Sequence, residues 1–594
     1  TPGTGPGAPG AVSPGGAPGT GSPGTPGAVM PGGGAGTGGP GFPGTAPMET
    51  VQMDDASCTS FEKQRANVLS PVDAAATQLL ASMTLDQKIS ILSGGDSCPN
   101  WDCDFNSTGL PELGIDDFKM RDGPRGVHVL SGGQSTTWAV AMARAASFDL
   151  DLERRVGDLQ GREMRALKYD LSLAPTINTL RHPGWARAQE TYGEDPVLLG
   201  EMGAAFIQGM QQHVPACPKH FAGNNTDENR GNMVAYMDEQ TLRENYTRAF
   251  EIAIDKADPG CIMAAYNGVN GDTSSENHHL MTEILRDDWG WEGFVLSDWW
   301  ATKENGVKSL NAGLDLEMPD KKAFEDIPQA IQMGLVDPAR VDEAAQRILN
   351  VRARFGQFES AYRNSPANPA IVNEQSHREL AYETALKGAI LLKNDGILPL
   401  GARATELGFG TAAVQNIMVM GPDAYLPSTQ TNSQGVPHGL GDRGSSNTNP
   451  PYAVSFIDGL SARAAAGVSV SHSDNPQDAA GADVVVIPVT MQHEDEGEAF
   501  GGGGDRDNLT LAGLHPQHWG TKPTSFINQV AAVNPNVVVL LAMGSAIVME
   551  DWLGSARAVV QTFYPGQEGG TATADLLYGN ANFSVLFHDT AATE

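Results

Sequence analysis

The chain has 594 residues, enough for two large domains, and its 40% hydrophobic content is ordinary for a globular protein. Asp and Glu outnumber Lys and Arg by 71 to 38, a formal net charge of −33, which argues against a nucleic-acid partner and suits neutral or cationic ligands. No apolar run reaches the length of a membrane span and no signal peptide is visible at the Thr1 start, so no membrane partner is expected.

Residues 1–49 are Gly, Pro, Thr, Ser and Ala with almost nothing to bury, and read as a low-complexity linker or arm. Residues 50–356 then alternate amphipathic helices, such as the stretch STTWAVAMARAASFDLDLERRVGDLQGREMRAL, with short apolar strands that end in polar residues. Candidate strands lead to LSLAPTIN, VPACPKHFAG, CIMAAYNG, GFVLSDWW and GLDLEMP. Repeated strand-then-helix units predict a (β/α) barrel-like domain whose active groups collect at the C-terminal strand ends, with a doubly wound open sheet as the alternative.

Those strand ends and their loops carry Asp122 in RDGPRG, Arg187 and Glu190 in HPGWARAQETYGEDP, Lys219 and His220 in PKHFAGNN, Arg230, Tyr266 in AAYNG, and Asp298 in SDWW. Each alone has a structural reading: a turn for Asp122, a satisfied core histidine for His220, a helix cap for Asp298. Their arrival at successive strand ends is harder to explain by packing, because polar groups converging on a barrel mouth need a ligand or one another. Together with Trp299 the set suggests a sugar, whose C–H face covers aromatics and whose hydroxyls bond to carboxylates, Arg and Lys. Glycoside hydrolysis needs two carboxyl groups, one ionised and one protonated. Asp298 suits the ionised role, with Lys219, Arg187 and Arg230 expected to hold its pKa low.

A polar connector, 357–380, precedes a second α/β region, 381–590. Its strands NIMVMGPD, ADVVVIPVT, NVVVLLAMGS and ARAVVQTFYPG are nearly continuous in apolar residues, which predicts an α/β sandwich with a mostly parallel sheet. The acidic loop His493–Leu511, HEDEGEAFGGGGDRDNLTL, follows the second of these strands, and such C-terminal edges are where open sheets place function. It is the expected source of the second carboxyl.

Five cysteines do not make a disulfide scaffold, although Cys98 and Cys103 could close a small loop. Neither CxxC nor HExxH occurs, and neither GxGxxG nor GxxxxGK[ST], so neither metal nor cofactor is expected. Sequons at Asn106, Asn224, Asn245, Asn508 and Asn582 would permit glycosylation of a secreted, extracellular chain.

The ordered series RDGPRG, WARAQETYGEDP, KHF with NN and Arg230, AAYNGVNG, GFVLSDWW, ALKGAILLKNDGILPL, GEAF with GDRDNLTL, and YPGQEGG resembles glycoside hydrolase family 3. The resemblance implies a barrel-like domain and an α/β sandwich sharing one active site. It implies Asp298 as nucleophile, Asp122, Arg187, Lys219, His220, Arg230 and Tyr266 around the glucosyl unit, and Trp299 beside the neighbouring subsite. By register with the GEGY of relatives it implies Glu498 as acid/base, Glu496 being two residues out of step. The pKa of Glu498 is expected to be raised. Departures are Ala186 where relatives carry Gly before the arginine, Phe500 where Tyr is common, and NANFSVLFHDTAATE where many relatives lead into a fibronectin-like domain. The implied activity is an exo-acting retaining β-glucosidase, with β-xylosidase, β-N-acetylglucosaminidase and phosphorolytic enzymes of the same family as alternatives.

Overall fold

The structure, a computed structural model, describes residues 72–586 except 96–104, 130–132, 304, 402–407, 409, 411–413, 427–440, 500–502, 512–513, 515–518 and 520–521. The Gly/Pro-rich arm, Cys98, Cys103 and Phe500 lie outside the described residues.

Eight extended segments close a ring in the first lobe. The strands Phe118–Asp122, Leu171–Leu173, Cys261–Ala264 and Phe294–Ser297 run parallel, with bridges at Ala216, Lys219 and Phe221 filling the gap between the second and third. Leu316 pairs with Leu296, and Ser93 with Glu317, again in parallel. The ring is completed by Phe105–Ser107, which runs antiparallel both to Gly94 and to Phe118–Met120. The barrel-like expectation holds, with one reversed strand that three residues of sequence did not announce. The expected helix over 135–167 is two helices, Ala141–Ala146 and Leu150–Ala166, because Asp149 caps the second by accepting from the Leu152 N–H.

In the second lobe a seven-stranded sheet has the order Ser469–Ser473, Asn416–Met420, Val484–Thr490, Val537–Ala542, Ala558–Gln561, Ile390–Asn394, Val585–Leu586. The first five are parallel, and Ile390–Asn394 is antiparallel to Ala558–Gln561. Every residue of the three central strands is buried, which accounts for their unbroken β-branched text.

Each lobe has its own core, yet each lends residues to the other. Ala139, Val140 and Ala143 pack into the second core, whereas Leu380 and Ala381 pack into the first. The helix that carries the latter pair, Gln375–Gly388, runs across the expected boundary at residue 380. Its Gly388 lies against the first lobe so closely that a Cβ would stand 2.7 Å from the Ala143 carbonyl oxygen. The bridge between lobes is therefore packed structure at both ends. One disulfide is present among the described residues, between the buried Cys217 and Cys261 of neighbouring barrel segments; the Cys98–Cys103 pairing considered from spacing lies outside the described residues.

The loop carrying Asp122 is held from below by a buried ion pair. Arg144 donates to both Glu153 oxygens, at 2.6 and 2.9 Å, and to the carbonyls of Ala139 and Pro124, while Tyr192 donates its hydroxyl to Glu153 at 2.7 Å. Both charged side chains are fully buried. Removing one partner strands the other charge, a loss of about 3–5 kcal/mol. Glu153→Ala should lower the first thermal unfolding transition by on the order of 10 °C. A change of only a degree or two by calorimetry would show that Arg144 is held by its carbonyls instead.

Candidate active site

The C-terminal ends of the barrel segments open on a cavity of about 290 Å³ lined by Asp122, Lys219, Arg230, Tyr266, Asp298 and Trp299 from the first lobe and by Arg443, Ser445 and Glu498 from the second. Asp122 ends its strand, Asp298 directly follows Phe294–Ser297, and Tyr266 lies two residues beyond Cys261–Ala264. Arg187 and His220 stand behind the wall, both about 1% exposed, and touch the two carboxylates that face the cavity. The nine side chains given a role by the family resemblance thus converge on one place.

Asp298 has a carboxylate oxygen, Oδ2, with no hydrogen-bond donor among the described residues; the other accepts from the Trp299 N–H at 3.2 Å. His220 Nε2 lies 3.6 Å from Oδ2. The His220 N–H and Nδ1 both meet Asn178 Oδ1, at 2.8 and 3.0 Å, so Nδ1 carries the proton and Nε2 turns a lone pair to Asp298. Burial, with the neighbouring Arg187 and Lys219, holds the imidazole neutral. The result for Asp298 corrects the sequence expectation. Burial raises its pKa to about 6 despite Arg230, Arg187 and Lys219, and Glu498 adds to the rise.

Those guanidinium groups are engaged elsewhere. Arg230 Nη2 donates to Glu498 Oε1 at 2.8 Å and Arg187 Nη1 lies 3.4 Å from the same oxygen. Ser445 donates its N–H and its hydroxyl to Glu498 Oε2, at 2.7 and 2.8 Å. Burial works to raise Glu498, but Arg187, Arg230 and the Ser445 N–H outweigh it and hold the carboxyl well below its usual range. The expected order of the two carboxyls is thus inverted, because distance to the same two cations differs.

Glu496 is placed differently. Its Oε1 accepts from the Tyr564 hydroxyl and the Gly544 N–H, and its Oε2 is 3.4 Å from Arg506 Nε. It supports the second lobe and does not line the cavity.

At the far side Lys219 donates to Asp122, and the Arg230 guanidinium stacks on the Tyr266 ring at 4.6 Å. Trp299 is 6% exposed and meets Phe105 edge to face at 4.8 Å, so it forms a fixed wall. Phe105, His128, Met263, Arg443 and Ser445 also line the cavity and were not anticipated. Carboxylate oxygens of Glu190, Asp442 and Glu498 come within 4.8 Å of one another. Arg187 already donates twice to Glu190, and the Glu498 N–H and Ser446 donate to Asp442, so a hydrogen-bonded network occupies the place a cation would take.

Comparison with known proteins agrees with this two-lobed site. Residues 118–351 match the N-terminal domain of glycosyl hydrolase family 3 and residues 389–590 its C-terminal domain. The chain belongs to glycosyl hydrolase family 3. An exo-α-(1→6)-L-arabinopyranosidase of Bifidobacterium longum is 33% identical over 528 residues, covering 84% of this chain and 64% of that protein. A β-glucosidase of Pyricularia oryzae is 31% identical over 531 residues, with 86% and 70% covered. The crystal structure of a β-D-glucoside glucohydrolase from Trichoderma reesei superimposes with a TM-score of 0.75 at 29% identity, over 86% of this chain and 72% of that one. The chain spans just under two thirds of the length of the Bifidobacterium relative.

Two outcomes follow from the carboxyl pair. If turnover needs Asp298 ionised and Glu498 protonated, the more tightly held proton being that of Asp298, kcat/KM of the parent falls as pH rises through about 6. On an activated aryl glycoside that needs no acid, Glu498→Gln should lose that fall and instead decline as pH drops, with a midpoint below about 6 because the neighbour that raises Asp298 is gone. Because the folded-state pKa of Asp298 lies above its ordinary value of 3.8, the stability it contributes is complete below that value and is lost as pH rises through about 6. Asp298→Asn should therefore gain melting temperature over the parent between pH 4.5 and 7.5, and a constant difference would refute the burial account.

Proposed function

We propose that this family 3 protein is an exo-acting, retaining β-glucosidase that releases glucose from the non-reducing ends of β-glucosides and short β-gluco-oligosaccharides. The observation that carries the reading is that two carboxylates from different lobes, Asp298 and Glu498, line one small cavity with a set of hydroxyl-binding groups. Its volume, at the low end for small-molecule sites, suits a single terminal sugar rather than a long chain threaded through. Asp298 attacks the anomeric carbon with its unpaired Oδ2, and Glu498 protonates the departing oxygen and then activates water. Turnover needs Glu498 protonated and Asp298 ionised, the reverse of the order their surrounding residues impose. Sugar hydroxyls that accept from Arg230 would draw that cation off Glu498 and so prepare the acid.

Glucose is favoured because the Asp122–Lys219 pair offers an acceptor and a donor to adjacent hydroxyls, including the 6-hydroxyl that xylosides and arabinopyranosides lack. The second reading, an α-L-arabinopyranosidase, is kept because relatives at 33% identity carry that name. Secretion is proposed on the disulfide and on exposed sequons at Asn245, Asn508 and Asn582; Asn224 is fully buried and offers no room for a glycan.

The test is kcat/KM on aryl β-D-glucoside, β-D-xyloside, α-L-arabinopyranoside and N-acetyl-β-D-glucosaminide, each with and without phosphate. The glucoside should lead the panel without phosphate, with product of retained configuration by NMR. Asp122→Ala should cost the glucoside at least about tenfold more than the arabinopyranoside. A leading arabinopyranoside, or an equal loss on both, would replace the glucose assignment. Asp298→Ala retaining most of its activity would remove the nucleophile.

A further inference from the structure

We propose that Ser445 is a positioning residue that fixes which oxygen of Glu498 carries the catalytic proton, an inference that rests on Glu498 being the acid/base. Both Ser445 donors, the N–H at 2.7 Å and the hydroxyl at 2.8 Å, converge on Oε2. An oxygen accepting two short bonds has its in-plane lone pairs filled, so a proton goes to the other oxygen. That other oxygen, Oε1, is the one shared with Arg230, which lines the proposed sugar site, and with Arg187 behind the wall.

The turn that presents Ser445 is built for this contact. The Glu498 N–H donates to Asp442 Oδ1 at 2.8 Å, so backbone and carboxyl are gripped by the same turn. Ser446 donates its N–H and hydroxyl to Asp442 Oδ2, at 3.2 and 2.8 Å. Arg125 reaches across from the barrel to the carbonyls of Ser446 and Asp442, at 2.7 and 3.1 Å. At Gly444 a Cβ would lie 2.4 Å from Glu498 Oε2, so the close approach needs glycine there. A serine hydroxyl held this way stabilises the carboxylate over the acid and keeps Oε2 as acceptor through the cycle.

Ser445→Ala removes the hydroxyl and leaves the N–H. A lost hydrogen bond to the charged form makes Glu498 a weaker acid, so the basic limb of the kcat profile, which reports the substrate complex, should move to higher pH. On a poor leaving group such as methyl β-glucoside, kcat/KM should fall about tenfold or more, while 2,4-dinitrophenyl β-glucoside should be nearly unaffected. Ser445→Thr should restore both profile and rate. Glu498→Gln is run beside them. If it lacks leaving-group dependence, the acid/base assignment itself fails. If it shows that dependence while Ser445→Ala keeps the parental basic limb, or loses the same factor on both substrates, only the role of Ser445 is overturned. Should Ser445→Ala fold poorly, a Thr variant with an unrestored basic limb overturns it equally.

Discussion

Asp505 fastens the two halves of the site together. Its Oδ1 accepts from the Ala186 and Asp227 N–H groups, at 2.9 and 3.1 Å, and its Oδ2 from the N–H groups of Asp227 and Glu228, at 3.0 and 3.1 Å, and from the Thr226 hydroxyl. Next to it, the Arg506 N–H donates to the Gly184 carbonyl at 2.8 Å. One carboxylate of the second lobe thereby answers backbone donors of two barrel loops, those carrying Arg187 and Arg230. Without it several part-buried donors would lose their partner, which makes the fastening costly to open. Glu498 belongs to the same loop, so its separation from Asp298 is set by this seam.

The protonation pattern follows from how that seam distributes a few cations among many acids. Arg187 and Arg230 act on both carboxylates, but they touch Glu498 and stand off from Asp298. In a poorly solvated cavity contact decides, since attraction falls with separation while the desolvation cost is felt in full by both. Asp298 is left with a histidine lone pair and a tyrosine hydroxyl as neighbours, the Tyr266 group being raised by burial and by Asp298 itself. In the proposed role of nucleophile, a poorly solvated carboxylate oxygen is reactive for the same reason that its charge is expensive to bury.

Much of the barrel half was readable in the text because function sits at fixed offsets from strand ends. Asp122, Lys219, Tyr266 and Asp298 each follow a run of buried residues that marks where a strand stops. The parallel sheet of the second lobe was equally plain, its apolar runs leaving no alternation to explain. What stayed hidden depends on distances across the seam. Ser445 and Asp442 sit in GDRGSSNTNP, a stretch with no helix or strand, whose composition reads as an ordinary polar loop. The inversion of the carboxyl pKa values needs the 2.8 and 3.4 Å contacts of Glu498, and sequence supplies none. Glu498 was separable from Glu496 by register, and the structure adds the physical difference: one faces the cavity and the other is tied to Tyr564 and Gly544.

The division between lobes gives binding and protonation different supports. The sugar-facing groups of the barrel lean on its own core and on the Arg144–Glu153 pair beneath the Asp122 loop, whereas Glu498 leans on the 442–446 turn and on Asp505. Arg125 is the barrel residue that reaches into that second support, through two backbone carbonyls rather than through any sugar-facing side chain. On the proposed function, a substitution in the turn would therefore act on proton transfer while the barrel wall of the cavity stays in place, and a substitution at Asp122 or Lys219 would act on sugar selection while Glu498 keeps its cradle. Arg187 and Arg230 bridge the two. They are barrel side chains that bind the second lobe's carboxylate, so on the proposed function a sugar that engages Arg230 would change the acid as well as occupy the site, and binding would ready the chemistry.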